Sequence, residues 1–221
     1  MKDAIVINEL AKEYVRGSET IHALQNVNFT IQQGEFVAIV GPSGSGKTTL
    51  LNLLGCLDRP SRGTITVNGI NVSDLPEGKM VKVRRQNIGF IFQSFFLLPT
   101  LTVRENIELP LMFSHRKDGN GKIDSILNTV GLEKRADHLP HQLSGGEMQR
   151  VAIGRALINE PKIILADEPT GNLDSATAQR IYDLLDSLHK QGLTLIVVTH
   201  NMDLAQMAHR VIKLKDGEIA G

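Results

Sequence analysis

The chain has 221 residues, 41% of them hydrophobic and 22% charged, proportions that exclude a disordered or fibrous protein and supply a sizeable buried core. Its 24 lysines and arginines equal its 24 aspartates and glutamates, so no global basic field holds it on nucleic acid or an anionic bilayer. Cys56 is the one cysteine and has no intrachain partner, and no segment has the make-up of a secretory signal, which together predict a reducing cytoplasm.

In chain order, residues 4–40 predict strands. Ile5, Val6 and Ile7 come first, then Val27, Phe29 and Ile31 in alternation. Phe36-Val37-Ala38-Ile39-Val40 is a continuous apolar run, the pattern of a central parallel strand covered on both faces. Residues 49–57 (TLLNLLGCL) read as the helix after it. Ile65, Val67 and Ile70 alternate around Asn68-Gly69, which predicts an antiparallel hairpin. From 94 to 160 the character turns helical, notably at 122–130 and 147–158, and reads as an insertion. Strands return at 162–166 and 193–199, on either side of a helix over 175–190, and a last hairpin turns at Asp216-Gly217. Strands alternating with helices predict an α/β core. The longest apolar runs fall far short of the ~18 residues of a spanning helix, so no membrane crossing is expected.

Gly41-Pro42-Ser43-Gly44-Ser45-Gly46-Lys47-Thr48 satisfies the phosphate-loop pattern, and it lies where the mechanism needs it, between the buried strand and a helix. Glycines let backbone N–H groups turn toward phosphate oxygens. The helix N-terminus adds partial positive charge, Lys47 reaches the terminal phosphates, and Thr48 offers a hydroxyl to Mg²⁺. Ile163-Ile164-Leu165-Ala166-Asp167-Glu168 delivers two carboxylates at the end of a buried strand, the edge where open α/β sheets bind ligands. Asp167 there suits Mg²⁺, and Glu168 suits the polarisation of water for in-line attack. Leu143-Ser144-Gly145-Gly146-Glu147 precedes another helix. Ser144 and Glu147 fit a capping box, and the glycine pair clears side chains from a second helix N-terminus that phosphate could approach.

These motifs, in this order over essentially the whole chain, resemble the ATP-binding subunits of ABC transporters. The resemblance adds Gln93 of the Q-loop, a D-loop at Asn172-Leu173-Asp174, and His200 after the apolar 193–199 strand. It implies a P-loop NTPase (RecA-like) α/β core with an N-terminal antiparallel β subdomain over residues 1–92 and 161–221, and an inserted α-helical signature subdomain over 93–160. It implies an ATPase dependent on ATP and Mg²⁺, with Glu168, His200 and Gln93 catalytic and Thr48, Gln93 and Asp167 toward the metal. The nucleotide would lie on the 41–48 loop and Thr49, with Tyr14, just before the second strand, stacking on adenine. A homodimer is implied in which Ser144, Gly145, Gly146, Glu147 and Asp174 of one chain cover ATP held by the other.

The family's motion would drive a separate permease whose cytoplasmic helix docks beside Gln93 and the apolar 94–100 loop, which places the chain in the cytoplasm, peripheral on the inner face of the cell membrane. No direct membrane insertion and no nucleic-acid partner are expected. A soluble ABC ATPase acting on nucleic-acid machinery is the alternative, but no coiled-coil insertion, tandem cassette or basic tract supports it. A phosphate-transferring enzyme is a third reading and lacks any acceptor motif. Two positions depart from the common pattern: Glu147 stands where many relatives have Gln, and Gly171-Asn172-Leu173-Asp174 replaces Ser-Ala-Leu-Asp. GCLDRP at 55–60 and ADEPTGNLDS at 166–175 resemble the branch of lipoprotein-releasing and macrolide-exporting ATPases. The remaining histidines, His22, His115, His138, His141, His189 and His209, read as structural or solvated, with no zinc spacing.

Overall fold

The computed structural model describes residues 2–114 and 121–220; His115 lies outside them. Strands β1 (Asp3–Arg16), β2 (Glu19–Gln32), β4 (Arg62–Val67) and β5 (Ile70–Asn71) form an antiparallel sheet in the order β2-β1-β4-β5. A second sheet contains β3 (Phe36–Val40), β6 (Ile88–Phe92), β7 (Ile163–Asp167), β8 (Thr194–Val198), β9 (Arg210–Lys215) and β10 (Glu218–Ala220), in the order β10-β9-β3-β8-β7-β6. All its neighbours are parallel except β10 on β9.

The uninterrupted apolar runs of β3, β7 and β8 serve two cores at once, because successive side chains leave opposite faces of a strand. Val37, Ile39, Ile163, Leu165, Ile196 and Val198 point into one core. It is filled by Leu50, Leu51, Leu53 and Leu54 of helix α1 (Lys47–Leu54) and by Ile5, Ile7 and Leu24 of the antiparallel sheet. Phe36, Ile164, Ala166, Leu195 and Val197 point into the other. That core receives Ile107 of α3 (Val103–Ser114), Ile153 of α5 (Gly145–Leu157) and Ile181 and Leu185 of α6 (Ser175–Lys190). Each such aliphatic side chain contributes ~1.5–3 kcal/mol by leaving water. Helices α2 (Glu77–Asn87), α4 (Lys122–Thr129) and α7 (Met202–Gln206) complete the described elements, with short 3-10 turns at Glu133–Arg135 and Pro140–Gln142. The result is a P-loop NTPase core with an antiparallel β subdomain on one face and helices inserted between β6 and β7.

Two local expectations change. The helix expected over 49–57 runs instead from Lys47 to Leu54. Gly55 caps it where a Cβ would lie 2.2 Å from Phe90 Cζ, and Cys56 ends it by turning left-handed at φ 54, so that Leu57 N–H closes on the Asn52 carbonyl at 2.8 Å. The hairpin that carries Tyr14 is longer than expected, and Tyr14 still precedes the second strand. It lies within β1 and pairs with Ile21, because the β1–β2 hairpin extends farther than the apolar alternation does. Helix α2 escaped the sequence reading because it is mostly polar, with Met80 and Val83 its buried apolar residues.

Candidate active site

Three parallel strands end side by side, and their C-terminal ends define the site. The loop after β3 carries Gly44 and Gly46 at φ +79 and +99; at Gly44 nothing lies within 4 Å of where a Cβ would stand, so that position stays open. Gly46 is the N-cap of α1 and no side chain caps this helix, which leaves its first N–H groups for a ligand. Lys47 Nζ donates to the carbonyl oxygens of Gly41 (2.9 Å) and Pro42 (2.8 Å), holding the ammonium beside the loop. Asp167 is the last residue of β7, and Glu168 N–H continues onto the Val198 carbonyl at 2.9 Å. Burial raises the Asp167 carboxyl above the ordinary aspartate range; neighbouring Glu168 raises it further and Lys47 opposes the rise.

Glu168 is fixed at both carboxylate oxygens. Its Oε1 accepts from His200 N–H at 3.0 Å and lies 2.7 Å from His200 Nδ1, while Oε2 accepts from Thr199 Oγ1 at 3.2 Å. The residue itself sits at φ 45, a conformation a non-glycine keeps only where surrounding bonds impose it. These groups line a cavity of about 500 Å³ with Gly41, Ser43, Gly44, Gly46, Lys47, Thr48, Thr49, Asp167, Glu168 and His200 in its wall. Ile21, His22, Ala23 and Val198 complete it. His22 therefore belongs to the wall, which no local pattern signals: the long β1–β2 hairpin carries it there.

Other expected site residues stand elsewhere. Pro42 and Ser45 are absent from the wall; Pro42 uses its carbonyl within the loop, and Ser45 is buried beneath it, its Oγ without a partner and 2.7 Å from where a Gly41 Cβ would stand. Tyr14 also lies off the wall. Its hydroxyl donates to Asp58 Oδ2 at 2.9 Å, and Lys12 Nζ stands 4.8 Å from its ring centroid, so a cation covers one face of the ring. Gln93, just past β6, turns its amide to Asn172 and not to the cavity.

Ser144, Gly145, Gly146, Glu147 and Asp174 form a second cluster, outside the cavity wall. Ser144 caps α5: its Oγ accepts from Glu147 N–H at 3.3 Å, and Glu147 Oε2 accepts from Ser144 N–H at 2.9 Å. The Ser144 N–H and hydroxyl, both donating to Oε2, hold the Glu147 carboxyl below the ordinary range, with Arg135 adding to the effect. Asp174 caps α6 by accepting from Thr177 N–H at 3.0 Å. The glycine pair does not simply clear space for a phosphate. A Cβ on Gly146 would stand 2.3 Å from Thr177 Cγ2, so Gly146 brings α5 against α6, and one on Gly145 would stand 3.2 Å from Leu173 Cδ2 in the loop before α6. Gly146→Ala should therefore cost ~1–3 kcal/mol by overpacking, and Thr177→Ser in the same chain should restore most of it. Denaturant unfolding of the four variants measures both.

Residues 24–171 match the family described as ABC transporter. The chain is a member of the ABC transporter family. Its relatives include the ABC transporter ATP-binding protein MJ0796 of Methanocaldococcus jannaschii, 50% identical across 97% of this chain and 94% of that protein. The macrolide export ATP-binding/permease protein MacB of Bdellovibrio bacteriovorus is 48% identical across 97% of this chain, which spans 33% of MacB. The dimeric structure of MJ0796 in a post-hydrolysis state bound to ADP and Pi superposes with a TM-score of 0.90 at 48% identity, covering 98% of this chain and 97% of that one.

The donor set fits a nucleoside triphosphate with a hard divalent cation. Lys47 and the uncapped end of α1 are suited to phosphate charge, while the Thr48 hydroxyl and the Asp167 carboxylate are oxygen donors. Among the described residues no cluster of three or more His, Cys, Asp and Glu forms a metal centre of its own.

Proposed function

We propose that the chain is the ATP-binding subunit of an ABC transporter, an ATPase that powers a separate transmembrane permease of the export or lipoprotein-release type. The observation that carries this reading is the convergence of the 41–48 loop, Asp167, Glu168 and His200 on one cavity. The loop's N–H groups and Lys47 bind the phosphates, and Lys47 exchanges the Gly41 and Pro42 carbonyls for phosphate oxygens. Thr48 and Asp167 would hold Mg²⁺, and Gln93 would serve it from the neighbouring loop. When bound, Mg²⁺ neutralises charge on the β- and γ-phosphates. Glu168, held at both oxygens, orients water for attack and takes its proton, and His200 keeps that carboxylate in place. Tyr14 offers adenine the ring face that Lys12 leaves clear.

Ser144, Gly145, Gly146, Glu147 and Asp174 act on a second copy of the chain. Their position outside this chain's own cavity supports that reading, as does the dimer formed by MJ0796. ATP then joins two protomers, and its cleavage removes contacts only the closed pair makes. Residues 93–160 act as the signature subdomain, and 1–92 with 161–221 as the ATP-binding core. Among the described residues no helix is long and apolar enough to cross a membrane. The load in this reading is a transmembrane permease, through which the chain sits against the inner face of the cell membrane. The balanced charge gives no support to a nucleic-acid role. Phosphate release from ATP, measured with and without Mg²⁺, tests the reading: hydrolysis should require the cation and vanish in Lys47→Ala, and equal hydrolysis by that variant would reject it.

A further inference from the structure

Gln93 is held away from the cavity by the side chain of Asn172, which bonds both its side chain and its backbone. Its Nε2 donates to Asn172 Oδ1 at 3.1 Å, and Asn172 Nδ2 donates to the Gln93 carbonyl at 3.0 Å, across 79 residues of sequence. The register explains the proximity: Phe92 lies opposite Asp167, so the chains leave β6 and β7 side by side. Gly171 supplies the space. A Cβ there would stand 2.7 Å from Gln93 Nε2 and 3.0 Å from its Cδ, so the side chain of Gln93 lies where residue 171 has none. Gly171 N–H closes a turn onto the Glu168 carbonyl at 3.0 Å, which ties this pair directly to the segment bearing Glu168.

A cation would take Gln93 through its Oε1; with Nε2 tied to Asn172 and the side chain outside the cavity wall, that oxygen is kept from a cation held by Thr48 and Asp167. We propose that Asn172 is a positioning residue that latches Gln93 outside the catalytic cavity, and that Gly171 is the notch in which the latch closes. Gln93 then joins the cation only when the 171–174 segment shifts, so cation capture is tied to movement of that segment. This rests on the assignment of Gln93 to the Mg²⁺ side of the site. Breaking the latch makes the inward position of Gln93 more accessible, by the worth of one or two exposed hydrogen bonds.

The test uses the full chain with Glu168→Gln, ATP and Mn²⁺ as a paramagnetic probe. Asn172→Ala removes both bonds and should tighten Mn²⁺ binding about threefold to tenfold, with ATP affinity in the absence of a cation unchanged. Asn172→Asp keeps the acceptor for Gln93 Nε2 and should fall between Asn172→Ala and the parent. Gly171→Ala fills the notch against the mobile end of Gln93 and should tighten binding by a separate route, one that does not depend on how Asn172→Ala folds. In a Gln93→Ala background neither change should have any effect. Unchanged Mn²⁺ affinity in both Asn172→Ala and Gly171→Ala, or the same gain with Gln93→Ala present, would overturn the latch. The two failures differ: no gain in either variant rejects the latch, whereas a gain that survives Gln93→Ala rejects the assignment of Gln93 to the cation, and the latch with it.

Discussion

Glu168→Gln should bind ATP with an affinity within about threefold of the parent chain and hydrolyse it roughly 10²- to 10⁴-fold more slowly. The substitution is nearly isosteric. Its amide oxygen still accepts from the His200 N–H, so the left-handed backbone at residue 168 keeps its anchor. What disappears is the basic carboxylate, the one group at the end of β7 that is not committed to the cation. Because Glu168 touches no phosphate in the proposed mechanism, the loss belongs to turnover and not to binding. Single-turnover kinetics with separate nucleotide titrations distinguish the two. Hydrolysis within a factor of about three of the parent would remove Glu168 from its role.

The second large effect comes from mixing two dead chains. Ser144→Arg places a long cation at the N-terminus of α5, where it opposes the helix dipole and blocks phosphate; Lys47→Ala removes the loop's ammonium. Each homodimer carries its defect in both sites. In a mixed dimer with sites shared across a two-fold, one site collects both defects and the other collects none. An equal mixture should therefore recover about a quarter of the parent's sites, since half of the dimers are mixed and each has one intact site. No recovery, with both chains folded and able to associate, would contradict the shared site.

The motif residues that line the cavity were legible because each sits at a strand end that local patterning already announces. The run Phe36 to Val40 predicts the buried β3 that must terminate at the glycine loop, and the run before Asp167 predicts β7 in the same way. Period and position together place Lys47, Glu168 and His200 at one sheet edge. What escaped depends on contacts between distant segments. Nothing near Gln93 announces Asn172, 79 residues on; its one trace is that Gly-Asn stands where the usual pattern has Ser-Ala. Gly146 reads as clearance for phosphate until Thr177 of another helix is found against it. His22 reads as solvated because its strand alternates like any surface hairpin, yet the hairpin's length carries it into the cavity wall. Local sequence specifies which way a strand's faces point, but not which loop a neighbouring strand will bring alongside.

The claim beneath all of this is that ATP bridges two copies of the chain. Light scattering of Glu168→Gln at saturating ATP and Mg²⁺ tests it most directly. The account predicts a mass of twice the 24.3 kDa chain, reverting to 24.3 kDa when ATP is replaced by ADP. A single-chain mass at full ATP occupancy would contradict it.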